Sequence, residues 1–187
     1  MTKFILHGGG ANVPLEGNKR FFQEIVSEFS EKGSVLLVYF AREKDKWPEF
    51  YKEAEKTFNE IREKEVILEI ANSNASKFRE QIKSNDAIYV RDGNTFKLLE
   101  SISQVPDFTD LIKDKIYAGS SAGMYMVSKY FYENDFDRIG EGLGILPIKA
   151  FAHWEESKQE ALKRLQETGE DLETIKLAEG EYVVKEQ

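Results

Sequence analysis

The chain has 187 residues, 41% of them apolar and 32% charged, the balance of a water-soluble globular protein. A formal net charge of −8, with no basic patch interleaved with aromatics, argues against nucleic-acid binding. There is no cysteine, which excludes disulfides, thiolate metal sites and a cysteine nucleophile, and no apolar run of membrane-spanning length; a cytoplasmic chain forming one domain over residues 1–187 is expected.

Lys3 to Leu6 reads as a short strand running into His7-Gly8-Gly9-Gly10. Helical periodicity follows, with Phe21, Phe22, Ile25, Val26 and Phe29 on one face, and Gly33 is expected to end that helix. Ser34 to Phe40 is a continuous apolar run, as in a strand buried on both faces. Trp47 to Glu63 is an amphipathic helix with Pro48 in its first turn. Glu65 to Ile70 is a third strand, Ser76 to Lys83 a helix, Asp86 to Val90 a fourth strand. Arg91-Asp92-Gly93-Asn94 is a turn, Thr95 to Ile102 a helix, and Ile116 to Ala118 a fifth strand. Strands alternating with helices predict a three-layer α/β/α sandwich around a mostly parallel sheet. In such sheets ligands bind beyond the carboxyl ends of the strands, where His7 to Gly10, Ala41-Arg42, Arg91 to Asn94 and Ser120-Ser121 all fall. After Tyr130 the pattern changes. Glu133 to Asp137 is a polar loop, Ala150 to Ala152 an extended segment ending at His153, Glu155 to Glu167 a charged helix, and Ile175 to Val184 a closing hairpin turning at Glu179-Gly180.

Chemistry concentrates at Gly119-Ser120-Ser121-Ala122-Gly123, which joins the fifth strand to an apolar helical run. Its G-x-S-x-G pattern in strand–turn–helix context places Ser121 on a strained corner with its hydroxyl exposed above the sheet. The helix that follows offers free N–H groups to an oxyanion. A serine needs a base to take its proton and an acid to orient that base. Only two histidines are available, and His153, ending its segment downstream of Ser121, is the better base candidate if its strand lies beside the first; His7 is read as structural or pocket-lining. For the acid, Asp135 and Glu155 lead, with Glu133 and Asp137 as further options. Ala122 and Gly93 are the candidate oxyanion N–H donors, and Arg42 and Arg91 candidates to hold a substrate carboxylate.

These pieces resemble a known family. Tyr89-Val90-Arg91-Asp92-Gly93-Asn94-Thr95-Phe96, Gly119-Ser120-Ser121-Ala122-Gly123, Ala152-His153 and Leu177-Ala178-Glu179-Gly180 are similar, in order and spacing, to segments of the dipeptidase E and cyanophycinase serine peptidases. The resemblance spans nearly the whole chain. It implies a flavodoxin-like, class I glutamine amidotransferase-like fold and a serine peptidase that cleaves short peptides, aspartyl peptide bonds among them, without metal or cofactor. Ser121 would be the nucleophile, His153 the base, Gly93 and Ala122 the oxyanion donors, and Asp135 the best match to the family's acid; a His-x-Glu echo of the amidotransferases keeps Glu155 as the alternative. Asn94, Arg91 and Arg42 would contact the peptide, although Arg91 and Asp92 stand where the family has two glycines and bring charge to a pocket that the family uses for an N-terminal aspartate. A homo-oligomer is compatible with this reading. The competing reading is a non-catalytic amidotransferase-like domain that binds a small ligand or partner at the same edge.

Overall fold

A computed structural model describes residues 1–61 and 64–187. In chain order the strands are β1 (Lys3–His7), β2 (Lys32–Val38), β3 (Glu65–Ile70), β4 (Ala87–Val90), β5 (Ile116–Ser120), β6 (Tyr130–Glu133), β7 (Arg138–Glu141), β8 (Ile148–Ala152), β9 (Glu173–Leu177) and β10 (Tyr182–Glu186). Among them lie α1 (Glu16–Val26), α2 (Trp47–Ile61), α3 (Ala75–Ser84), α4 (Thr95–Ser103), α5 (Phe108–Leu111), α6 (Ala122–Val127) and α7 (Gln159–Gln166). The main sheet has the order β10-β1-β5-β4-β2-β3. All its pairings are parallel except β10, which runs antiparallel along β1.

The inner strands are apolar on both faces, and their alternation assigns each residue to a layer. Ile5, Val35, Leu37, Ala87, Tyr89, Ile116 and Ala118 pack with α1 and α2 on one side. Phe4, Leu6, Leu36, Val38, Ile88, Val90 and Tyr117 pack on the other with α3, α4, α5 and α6. Each fully buried aliphatic side chain contributes about 1.5–3 kcal/mol. The mostly parallel three-layer α/β architecture expected from the sequence is therefore present.

A second, four-stranded sheet in the order β7-β6-β8-β9 lies against α6 and shares its core through Phe131, Ile148, Ala150, Ile175 and Leu177. Its outer face carries α7, packed through Leu162 and Leu165 on Phe151 and Trp154. This sheet departs from the sequence reading in three ways. Tyr130 to Glu133 and Arg138 to Glu141 pair as antiparallel strands, where the sequence suggested only a polar loop over Glu133 to Asp137. His153 follows β8, which belongs to the second sheet and does not lie beside β5. The closing hairpin does not form: β9 pairs with β8 and β10 with β1, so the connection at Glu179-Gly180 crosses from one sheet to the other. Two boundaries also move. α1 stops at Val26, with Gly33 inside β2, and α2 runs to Ile61, its expected last two residues lying outside the described ones. Among the described residues no helix is long and apolar enough to cross a membrane.

Candidate active site

Ser121 is the pivot between β5 and α6. Its φ of 47° and ψ of −99° lie outside the regions that residues with a side chain ordinarily occupy, a strain of about 1–3 kcal/mol. The fold imposes it from several directions. The Ser121 N–H donates to the His7 carbonyl at 3.0 Å, and its own carbonyl accepts from Tyr125 N at 2.9 Å. The flanking glycines let α6 descend onto the sheet: a Cβ on Gly123 would stand 2.6 Å from the Val90 carbonyl oxygen, and one on Gly119 2.5 Å from Gly123.

His153 is placed from the second sheet. Its N–H donates to Gly8 O at 2.7 Å and its carbonyl accepts from Lys158 Nζ at 2.7 Å, holding a φ of 52°. The preceding residue is clamped by the nucleophile's own helix. Ala152 N–H donates to the Tyr125 hydroxyl at 3.0 Å, and Ala152 O accepts from Asn134 Nδ2 at 2.9 Å. His153 Nε2 thereby lies 3.1 Å from Ser121 Oγ, and Nδ1 lies 2.9 Å from Glu179 Oε1. The three side chains form a continuous hydroxyl–imidazole–carboxylate chain, open to solvent at the Glu179 end.

The carboxylate in this chain differs from the sequence expectation. Asp135 sits on the short turn after β6, exposed in the cleft wall, and makes no hydrogen bond to His153; Glu155 points to the Ser157 hydroxyl. The Nδ1 edge of His153 faces instead the turn between β9 and β10, pinned by Gly180 N donating to Gly9 O at 3.1 Å. Gly9 lies flat against the imidazole, where a Cβ would meet His153 Cε1 at 2.2 Å. A signal for Glu179 was present, an acid in a Glu-Gly turn after an extended segment, but reading that turn as a hairpin tip pointed it away from the site.

His7 is fully buried. Its Nδ1 accepts from Gly9 N at 3.2 Å and lies 3.1 Å from Ser120 Oγ, and its Nε2 lies 2.8 Å from Asn18 Oδ1. Burial pushes the imidazole down to about 4, so it stands neutral beneath the glycine loop, the structural role expected of it.

Ser121 and His153 open into a cleft of about 450 Å³ whose walls include Arg42, Asp92, Gly93, Asn94, Glu133 and Asp135. Ala122 is the first residue of α6, so its N–H has no helical acceptor, and Gly93 faces the same cleft. The candidate binding residues fare unequally. Asn94 caps α4, its side chain accepting from Lys97 N at 2.9 Å. Arg91 is buried away from the cleft, paired to Glu53 at 2.7 Å and stacked 4.2 Å over the Phe50 ring. Arg42 reaches the cleft but is held by Asp92, at 2.8 Å to its carboxylate and 2.9 Å to its carbonyl. Glu133, only 8% exposed, accepts from Thr95 Oγ1 at 2.8 Å; burial raises its carboxyl above the ordinary carboxylate range despite that bond.

A strained serine at a strand–helix corner, bonded to a histidine that a carboxylate orients, over the carboxyl edge of a parallel sheet, defines the class of serine hydrolases. Comparison with known proteins narrows it. The model of peptidase family S51 matches residues 4–187, and the chain belongs to that family: it is a serine-type peptidase. Two crystal structures share its fold. One is a candidate peptidase E protein from Listeria monocytogenes EGD-e, at 18% identity and a TM-score of 0.66, covering 100% of this chain and 99% of that one. The other is a peptidase from an acI-B1 Actinobacterium, at 17% identity and a TM-score of 0.71, covering 99% of this chain and 83% of that one. No curated protein matches the sequence.

Proposed function

We propose that this chain hydrolyses short peptides through an acyl-enzyme formed on Ser121, with His153 as general base and acid and Glu179 as the carboxylate that orients it. The observation that carries the reading is the continuous contact of Ser121 Oγ, His153 and Glu179 at 3.1 and 2.9 Å. His153 Nε2 takes the serine proton as Oγ attacks the scissile carbonyl, then delivers it to the leaving amine. Glu179 fixes the tautomer with the proton on Nδ1 and stabilises the imidazolium that forms. The N–H groups of Gly93 and Ala122 receive the oxyanion. Water then attacks the ester by the same route, and no metal or cofactor enters. The charges at Arg91 and Asp92, which favoured a non-catalytic ligand-binding domain, are accounted for by their pairing with Glu53 and Arg42.

The test is covalent labelling with a fluorophosphonate, followed by dipeptide turnover. Labelling is expected at Ser121 alone, and Ser121→Ala is expected to abolish it and to lower kcat by about 10³-fold or more. An unlabelled, folded wild-type protein would refute the reading.

A further inference from the structure

We propose that the cleft selects peptides whose free amino-terminal residue is basic, presenting two positive charges, and rejects an amino-terminal aspartate. This rests on the peptidase reading and assigns its substrate class. The charge pattern of the walls carries it.

Recognition of an acidic residue favours a cation whose charge is not already matched, and both arginines of this region are paired to carboxylates. Arg42 donates through Nε to the Asp92 carbonyl and pairs through Nη2 with its carboxylate, and Arg91 is withdrawn beneath the wall onto Glu53, the Phe50 ring and the far side of Asp92. Among the wall carboxylates, Asp92 is matched by Arg42 and Glu43 by Lys97 at 2.7 Å. Two remain without a counter-ion. Glu133 and Asp135 have no Lys, Arg or His nitrogen within ion-pair distance among the described residues, and they stand two positions apart on the strand end and turn that border Ser121 and His153. Glu133 is the telling one. A carboxylate more than nine-tenths buried and facing a cleft, with a threonine hydroxyl as its side-chain partner, lacks the charge compensation that buried carboxylates ordinarily have. The proposed proton relay uses neither residue. An α-ammonium and a lysine or arginine side chain on the acyl side of the scissile bond supply the two missing cations. An aspartate there would add a third negative charge to a pair already unmatched.

The experiment compares kcat/KM for arginyl, alanyl and aspartyl para-nitroanilides, free and N-acetylated. The free arginyl compound is expected to exceed the alanyl one by about tenfold and the aspartyl one by more, the scale of one partly desolvated charge contact. N-acetylation should reduce the arginyl rate by about tenfold on the same grounds. Glu133→Gln, which keeps the Thr95 contact and the volume, and Asp135→Asn, at an exposed position, should each narrow the arginyl-to-aspartyl ratio. An arginyl rate no greater than the alanyl or aspartyl rate, an acetylated arginyl compound cleaved as fast as the free one, or ratios unmoved in both variants would overturn the proposal. Calorimetry of arginine amide and aspartic acid amide with Ser121→Ala reads the same preference without turnover. Tighter arginine amide binding supports it and equal affinity overturns it, whereas failure of wild-type Ser121 to label counts against the peptidase mechanism instead.

Discussion

Glu179 and Asp135 are both surface-accessible carboxylates near a histidine, and geometry separates them. A carboxylate bonded to Nδ1 holds the imidazole with Nε2 toward the serine, whereas one in the cleft wall faces the space a substrate would fill. Glu179→Gln is accordingly expected to lower kcat by about 10²–10⁴-fold with KM little changed, as when a triad carboxylate loses its charge. Asp135→Asn and Glu155→Gln should leave kcat for an N-acetylated alanyl substrate, which brings no cation to the cleft, within a few-fold of wild type; steady-state kinetics on that substrate decides this. His7 gives a prediction of another kind. Its folded value of about 4 lies below the unfolded 6.5, so the unfolded chain binds more protons in between. Stability is full above about pH 6.5 and falls as pH drops toward 4, the loss reaching roughly 3 kcal/mol below that. Glu133, raised by burial, works in the opposite sense, so the comparison must be internal. Urea midpoints of wild type should fall more steeply than those of His7→Gln across this window. At this scale the sequence pointed to the serine and histidine that lie in contact, because a G-x-S-x-G corner and a choice between two histidines are local or countable facts. It did not point to the carboxylate beside Nδ1, because which of 34 acidic residues meets that nitrogen depends on a crossing between sheets that no spacing records.

At the scale of elements, the joint between α6 and β8 does the positioning. Tyr125, one turn after Ser121, places its buried hydroxyl on both backbone polar groups of Ala152, at 3.0 and 3.3 Å. Tyr125→Phe would strand the buried Ala152 N–H, destabilising the fold by about 1–3 kcal/mol. It should also lower kcat disproportionately, because His153 would lose its fixed distance to Ser121; Tm and kcat measured on one preparation separate the two effects. The alternating strands and helices up to Val127 were readable because each inner strand is a continuous apolar run and each helix an amphipathic one. The second sheet was not. Tyr130 to Glu133 and Arg138 to Glu141 are four-residue strands that begin or end in polar residues, and β9 and β10 flank a turn sequence that suits a hairpin equally well. Local propensity cannot distinguish a strand that pairs with its neighbour in sequence from one that departs to another sheet.

For the whole molecule, the sheets should differ in how readily they open. β1, β5, β4 and β2 are covered on both faces and flanked by strands on both edges, while β7 is an outer strand with exposed ends. Native-state hydrogen exchange is expected to show the slowest amides in the first group and markedly faster exchange in β7.

The serine comes from one sheet, the histidine from the other, and the carboxylate from the strap that laces them together. In the proposed mechanism chemistry is therefore a gauge of the seam between two halves. An ångström of drift along that seam parts a 3.1 Å contact while leaving either half's internal ladder intact. Mild denaturant should extinguish turnover before circular dichroism registers any loss of helix or strand.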